Sequence, residues 1–132
     1  MTHYWDTLLE TEREGYKIIL DKTWEDIDPA DLMDTSIDPD TGKPYFDMDE
    51  IYSDINNGNL DWFMLRARVF VEDLEIAREI VGGFLYKDAR EVLTDGVADD
   101  MIYEALTQAK SRVYNLANTF TELSHQQDRE LA

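Results

Sequence analysis

The residues of this chain best equipped for chemistry are carboxylates, and they are crowded. Thirteen of them (Asp21, Glu25, Asp26, Asp28, Asp31, Asp34, Asp38, Asp40, Asp47, Asp49, Glu50, Asp54 and Asp61) stand between positions 21 and 61, opposed only by Lys22 and Lys43, for a net charge of −11. Such a group can coordinate a hard cation, work in pairs as general acid and base, or meet a positively charged partner. Asp38-Pro39-Asp40-Thr41-Gly42 looks at first like a calcium loop. An EF-hand wants Asp or Asn at positions 1, 3 and 5, Gly at 6 and Glu at 12. Counted from Asp38, positions 5, 6 and 12 hold Gly42, Lys43 and Asp49. The pattern fails as a tight site and leaves at most a weak cation site over 38–50, so no metal is assigned. Paired carboxylates doing acid–base work need a concave site and a reacting neighbour. Nothing in the segment singles out one pair, so no catalytic residue is assigned, no cofactor is expected, and the chain reads as a non-enzyme.

Two further patterns carry chemistry. Arg66 and Arg68 alternate with Trp62, Met64 and Phe70, an arrangement suited to stacking nucleic-acid bases. A formal charge of −18 over the whole chain opposes any polyanion. These arginines therefore read as internal partners of nearby acids, and direct contact with nucleic acid is not expected. Ile102, Leu106, Ala109, Val113, Leu116, Phe120 and Leu123 follow one another at 4-3-4-3-4-3 spacing. The favoured reading is an amphipathic helix covering its own sheet, because a small sheet needs such a cover. A homodimer through this helix is the alternative.

The elements that must position these residues follow from periodicity and punctuation. Residues 15–24 are rich in β-formers and put Ile18 and Leu20 on one face of a strand. Asp28-Pro29 opens a short helix over 29–34, cap then proline. Met48, Ile51, Tyr52 and Ile55 fall at helical spacing over 47–56, and Asn56-Asn57-Gly58 ends that helix. Residues 60–71 alternate with a period of two and predict a strand. Residues 75–86 admit two readings. As a strand they complete a hairpin with a bulge or bend at Gly82-Gly83; as a helix those glycines would cost roughly 2 kcal/mol. The strand is favoured. The last helix, 97–123, is opened by Asp95-Gly96 with Asp99 and Asp100 in its first turn, where the helix dipole favours anions. Residues 124–132 are expected to be a frayed tail. The sum is one acidic α+β domain over 1–132: a small antiparallel sheet (15–24, 60–71, 75–86) covered by the long helix, with short acidic helices beside it. A mostly α fold is the alternative.

Composition bounds the function classes. The chain has 132 residues, 43% of them apolar and 11% aromatic, which is not the composition of a disordered acidic tail. Thirty acids against twelve Lys and Arg exclude a basic surface for nucleic acid or an anionic membrane. No apolar run approaches the ~20 residues of a membrane span. The first ten residues lack the pattern of a secretory leader, cysteine is absent, and the two histidines, His3 and His125, sit near the chain ends. The expected compartment is the cytoplasm.

In length, charge, lack of cysteine and the stretch Asp21–Asp61, the chain resembles the small acidic proteins with which phages and mobile elements block host defence, the anti-restriction and anti-CRISPR inhibitors of DNA-mimic type. The likeness lies in composition, and no residue role transfers with it. It implies an acidic inhibitor occupying the nucleic-acid-binding surface of a basic host protein. The expected partner-binding face is Asp26, Asp28, Asp31, Asp34, Asp38, Asp40, Asp47, Asp49, Glu50 and Asp54. The competing expectation is an acidic accessory or adaptor protein that binds through its helix or a sheet edge, with charge serving solubility or adaptation to high salt.

Overall fold

Pairing, rather than propensity, makes the first strand. In the computed structural model, which describes residues 3–131, β1 (Asp6–Arg13) is joined to β2 (Tyr16–Trp24) by Glu14-Gly15, an element absent from the sequence reading. Both turn residues have positive φ, 55° at Glu14 and 86° at Gly15, which is what a two-residue turn needs to match strand twist. The chain then leaves the sheet for α1 (Pro29–Leu32) and α2 (Met48–Asn56) and returns as β3 (Asp61–Val71) and β4 (Leu74–Tyr86). The four strands form one antiparallel sheet in the order β1-β2-β3-β4. A turn of 3₁₀ helix, Ala89–Leu93, leads into α3 (Val97–Leu131).

The α+β architecture is as the sequence implies, and 75–86 is a strand. The glycines act as the bulge: Phe63 pairs with Phe84 but Leu65 pairs with Val81, so β4 has one extra residue at Gly82-Gly83. A second extra residue, Ile76, lies between the Val69–Ala77 and Phe70–Glu75 pairs. It lets Ile76 and Ala77 both reach the core, as a bulge permits.

The face of the sheet toward α3 supplies Ile18, Leu20, Phe63, Leu65, Ala67 and Val69, all fully buried. Against them α3 sets Ala98, Met101, Ile102, Ala105, Leu106 and Ala109. Their spacing makes one apolar stripe, and three of the six are alanines, which allow close approach to the strands. Two expectations about α3 are corrected. Its fully buried residues stop at Ala109; beyond it only Val113, packed at the edge of the core, and Leu116 are half-buried. It does not stop at 123 with a frayed tail: residues 124–131 continue the helix, as their helix-forming Gln, Arg, Glu and Leu allow. Ala132, the last residue of that expected tail, lies outside the described residues. Among the described residues, no helix is long and apolar enough to cross a membrane.

On the opposite face the alternating arginines find their acid. Asp21, 1% exposed, accepts from Arg66 Nε at 2.9 Å and Nη2 at 2.7 Å, and from Arg68 Nη2 at 3.0 Å. The Arg66 guanidinium lies 4.0 Å from the ring centroid of Trp5, and Arg68 lies 5.4 Å from that of Phe70. Internal pairing, not base stacking, accounts for this stripe.

Candidate functional site

Residues 25–60 form a lobe inserted between β2 and β3, and its joint with the sheet is made by polar contacts. The Glu25 amide donates to the Trp62 carbonyl at 3.2 Å, extending the ladder by one bond. The Glu25 carboxylate then accepts from the Gly83 amide in the bulge at 3.0 Å and from the Ile27 amide at 3.2 Å. A Cβ at Gly82 would collide with that carboxylate, so the bulge glycines make room for the latch. Trp62 Nε1 donates to the Ile27 carbonyl at 2.9 Å. At the other end Asn59 and Leu60 donate to the Asp54 carbonyl at 2.8 and 3.1 Å, and Lys22 pairs with Asp61 at the root of β3.

Within the lobe aspartates build the turns. Asp28 caps α1, accepting from the Ala30 amide at 3.0 Å, and also accepts from the Tyr52 hydroxyl of α2. Asp34 accepts from the Ser36 hydroxyl at 2.6 Å and its amide at 2.9 Å. Asp38 accepts from the Asp40 amide at 2.9 Å in a small loop closed by the bridge between Ile37 and Pro44. Asp47 caps α2 by accepting from the Glu50 amide at 3.2 Å. These are the Asx-turn and cap roles that suit this side chain. In Asp28 and Asp34 they also favour the ionised form. The Tyr52 hydroxyl, and after it the Ala30 amide, keep the Asp28 carboxyl below the usual carboxylate range, and the same bond pushes the Tyr52 phenol up. The Ser36 hydroxyl and then its amide do likewise for Asp34.

The three acids of the segment that lie outside the expected binding face are those with internal partners: Asp21 on its arginines, Glu25 on the bulge, Asp61 on Lys22. Of the ten expected site residues, Asp38 and Asp54 are half-buried and the other eight are exposed. The fold groups them locally. Asp28 reaches α2 through the Tyr52 hydroxyl, with Asp31 in the first turn of the helix it caps; Asp47, Asp49, Glu50 and Asp54 belong to α2 and its cap; Asp38 and Asp40 share the 37–44 loop. Asp34 sits on its own turn. Asp26 turns toward the N-terminal segment, 2.7 Å from His3 Nε2 and 3.1 Å from Trp24 Nε1. Among the described residues no group of three or more His, Asp or Glu side chains is placed to hold a metal ion.

The sequence reading missed a second population in the lobe. Ile27, Leu32, Ile37, Tyr45 and Phe46 are between 42% and 60% exposed, and α2 buries none of its side chains. Large apolar side chains left in water within so acidic a segment are more informative than the exposed acids themselves. Pro44-Tyr45-Phe46, a non-periodic apolar run in an acidic segment, was the available signal. Compared with protein-family models, with curated proteins and with solved structures, the chain finds no match.

Proposed function

We propose that this is a non-enzymatic, cytoplasmic docking protein whose acidic lobe seats on the basic surface of a partner protein, a surface of the kind that otherwise holds nucleic acid. The observation that carries the reading is the mixture within one lobe: eight exposed carboxylates of the expected face interleaved with five exposed large apolar side chains. Solubility alone accounts for the acids and leaves the apolar residues unexplained. A protein interface uses both, long-range charge to steer and orient the encounter, apolar anchors to hold it. Carboxylates three or four residues apart on a helix stand ~5–6 Å apart, so Asp47, Glu50 and Asp54 offer a row of charge on a scale comparable to phosphates, spaced ~3.4 Å of axis on each strand of B-DNA. Blocking such a surface is what inhibitors of the anti-defence class do.

The test is capture by the immobilised full chain from the heparin-binding fraction of a bacterial lysate. The reading expects nucleic-acid-binding proteins, released by excess duplex DNA and by salt raised to about 0.3 M, where screening is strong. It expects the triple variant Asp47→Asn, Glu50→Gln, Asp54→Asn to lose them while its circular dichroism stays unchanged. Capture that survives both the triple variant and DNA, but is abolished by Leu116→Asp in a folded domain, would overturn it in favour of an adaptor that binds through α3.

A further inference from the structure

We infer that the outer half of α3 is an antiparallel dimerisation arm whose occupant is a second copy of this chain. The apolar stripe that lies on the sheet through Ala109 does not stop there. It continues as Val113, Leu116, Phe120 and Leu123 with the same three- and four-residue spacing, while Phe120 and Leu123 are 62% and 51% exposed. Residues 110–131 extend the helix over about 33 Å at 1.5 Å per residue, and only their first two turns, through Lys110, Val113 and Leu116, still touch the body.

Charge selects the occupant. The molecule is strongly acidic, yet 110–131 holds three bases (Lys110, Arg112, Arg129) and three acids (Glu122, Asp128, Glu130), a net of zero, with no charge between Val113 and Thr121. A basic partner gains nothing from this arm. The charges are also sorted along it: Lys110 and Arg112 at the inner end, and a net negative set at the outer end. Lys110 reaches Glu14 of its own sheet at 2.6 Å, and Arg112 has no ion pair among the described residues. Antiparallel pairing brings basic inner end to acidic outer end. Parallel pairing sets like ends together and packs two acidic bodies side by side, within a Debye length of about 8 Å at physiological salt.

The stripe is self-complementary in that sense. With the two-fold axis at Asn118, Val113 faces Leu123 of the second copy and Leu116 faces its Phe120. The symmetry repeats both layers, as an isologous contact requires, and each layer joins the two kinds of seam position of a heptad. Room exists for the end of the second helix. A groove of about 800 Å³ opens between α3 and the start of β4 where they diverge, lined by Ile76, Ala77 and Leu116 and bordered by Arg78 and Arg112.

The experiment is sedimentation equilibrium on the full chain, then pulsed dipolar spectroscopy with a spin label at Tyr103→Cys, an exposed site in a chain with no other cysteine. Twice the monomer mass of 15.4 kDa is expected, with the dimer lost in Phe120→Asp and weakened in Phe120→Ala while far-ultraviolet circular dichroism holds. The antiparallel arm places the labels about 45 Å apart, against under about 25 Å for a parallel pair. A wild-type chain that stays monomeric at about 100 µM, in low salt and high, overturns the proposal, since association must follow concentration. A dimer with the short distance overturns the antiparallel arrangement, and a dimer untouched by Phe120→Asp overturns the role of the arm.

Discussion

The same side chain plays opposite parts in the two halves of this molecule. In the sheet, Asp21 is 1% exposed and its carboxylate is occupied by two arginines. In the lobe, Asp28, Asp34 and Asp47 each accept a local backbone amide and remain exposed to water. A buried carboxylate must be matched by opposite charge or it shifts out of its ionised form. A carboxylate on a turn needs only one amide and keeps its charge available. Counting acids along a sequence does not separate these two uses; the partners do.

Replacing Asp21 by Ala should be the most damaging change to the molecule, because it strands Arg66 without its counter-ion and leaves Arg68 only the more distant Glu75, at 4.0 Å. A loss of about 3–5 kcal/mol is expected, read from urea unfolding. The comparison breaks if the variant is as stable as the parent. Gly82→Ala should act at the seam instead. Its Cβ displaces the Glu25 carboxylate from the Gly83 amide, costing about 1 kcal/mol. Amide exchange should speed up over residues 25–33 while the centre of β3 keeps its protection. Equal acceleration in both would mean that lobe and sheet open as one unit.

A pair of tyrosine–aspartate bonds sharpens the contrast further. Tyr86 donates to Asp95 where β4 meets the approach to α3, and the bond pushes its phenol up to about 12. Tyr52 donates to Asp28 inside the lobe. A raised folded-state pKa means that the native state holds its proton after the unfolded chain has released it. The contribution is therefore complete below pH 10 and is lost as pH rises through 10 to about 12. Tyr86→Phe should flatten that alkaline decline in global stability, by under about 1 kcal/mol. Tyr52→Phe should leave global unfolding unchanged and alter only exchange within 28–56.

Legibility followed the physical source of each element. β3 and β4 showed because alternation and a glycine pair are local signals, and the arginine stripe could be assigned to internal acids from net charge alone. β1 did not show. Leu8-Leu9-Glu10-Thr11-Glu12-Arg13 has the composition of a helix, and only its hydrogen bonds to β2 make it a strand. The one local clue was Glu14-Gly15 between two pairing residues. The apolar stripe of α3 was readable as a spacing as far as Leu123, but the run of the helix on to Leu131 was not, and how much of it the sheet covers is a tertiary fact. In the candidate site the exposed acids were legible as charge. The apolar residues among them were not, because they follow no period and a sequence does not say which hydrophobic side chains lack cover.

The place where the lobe enters has a topological consequence. Trp24 and Phe63 close the last rung between adjacent antiparallel strands, so everything from Glu25 to Trp62 is formally one oversized hairpin loop. Loop-closure entropy grows only with the logarithm of length, so shortening this connection to a tight turn would change it by roughly 2 kcal/mol. The eight residue pairs of β2 with β3, from Lys17–Phe70 to Trp24–Phe63, set the register within the strands themselves. The sheet is thus a mount on which the inserted lobe can be exchanged, and lobes of other charge or size could be carried by the same four strands.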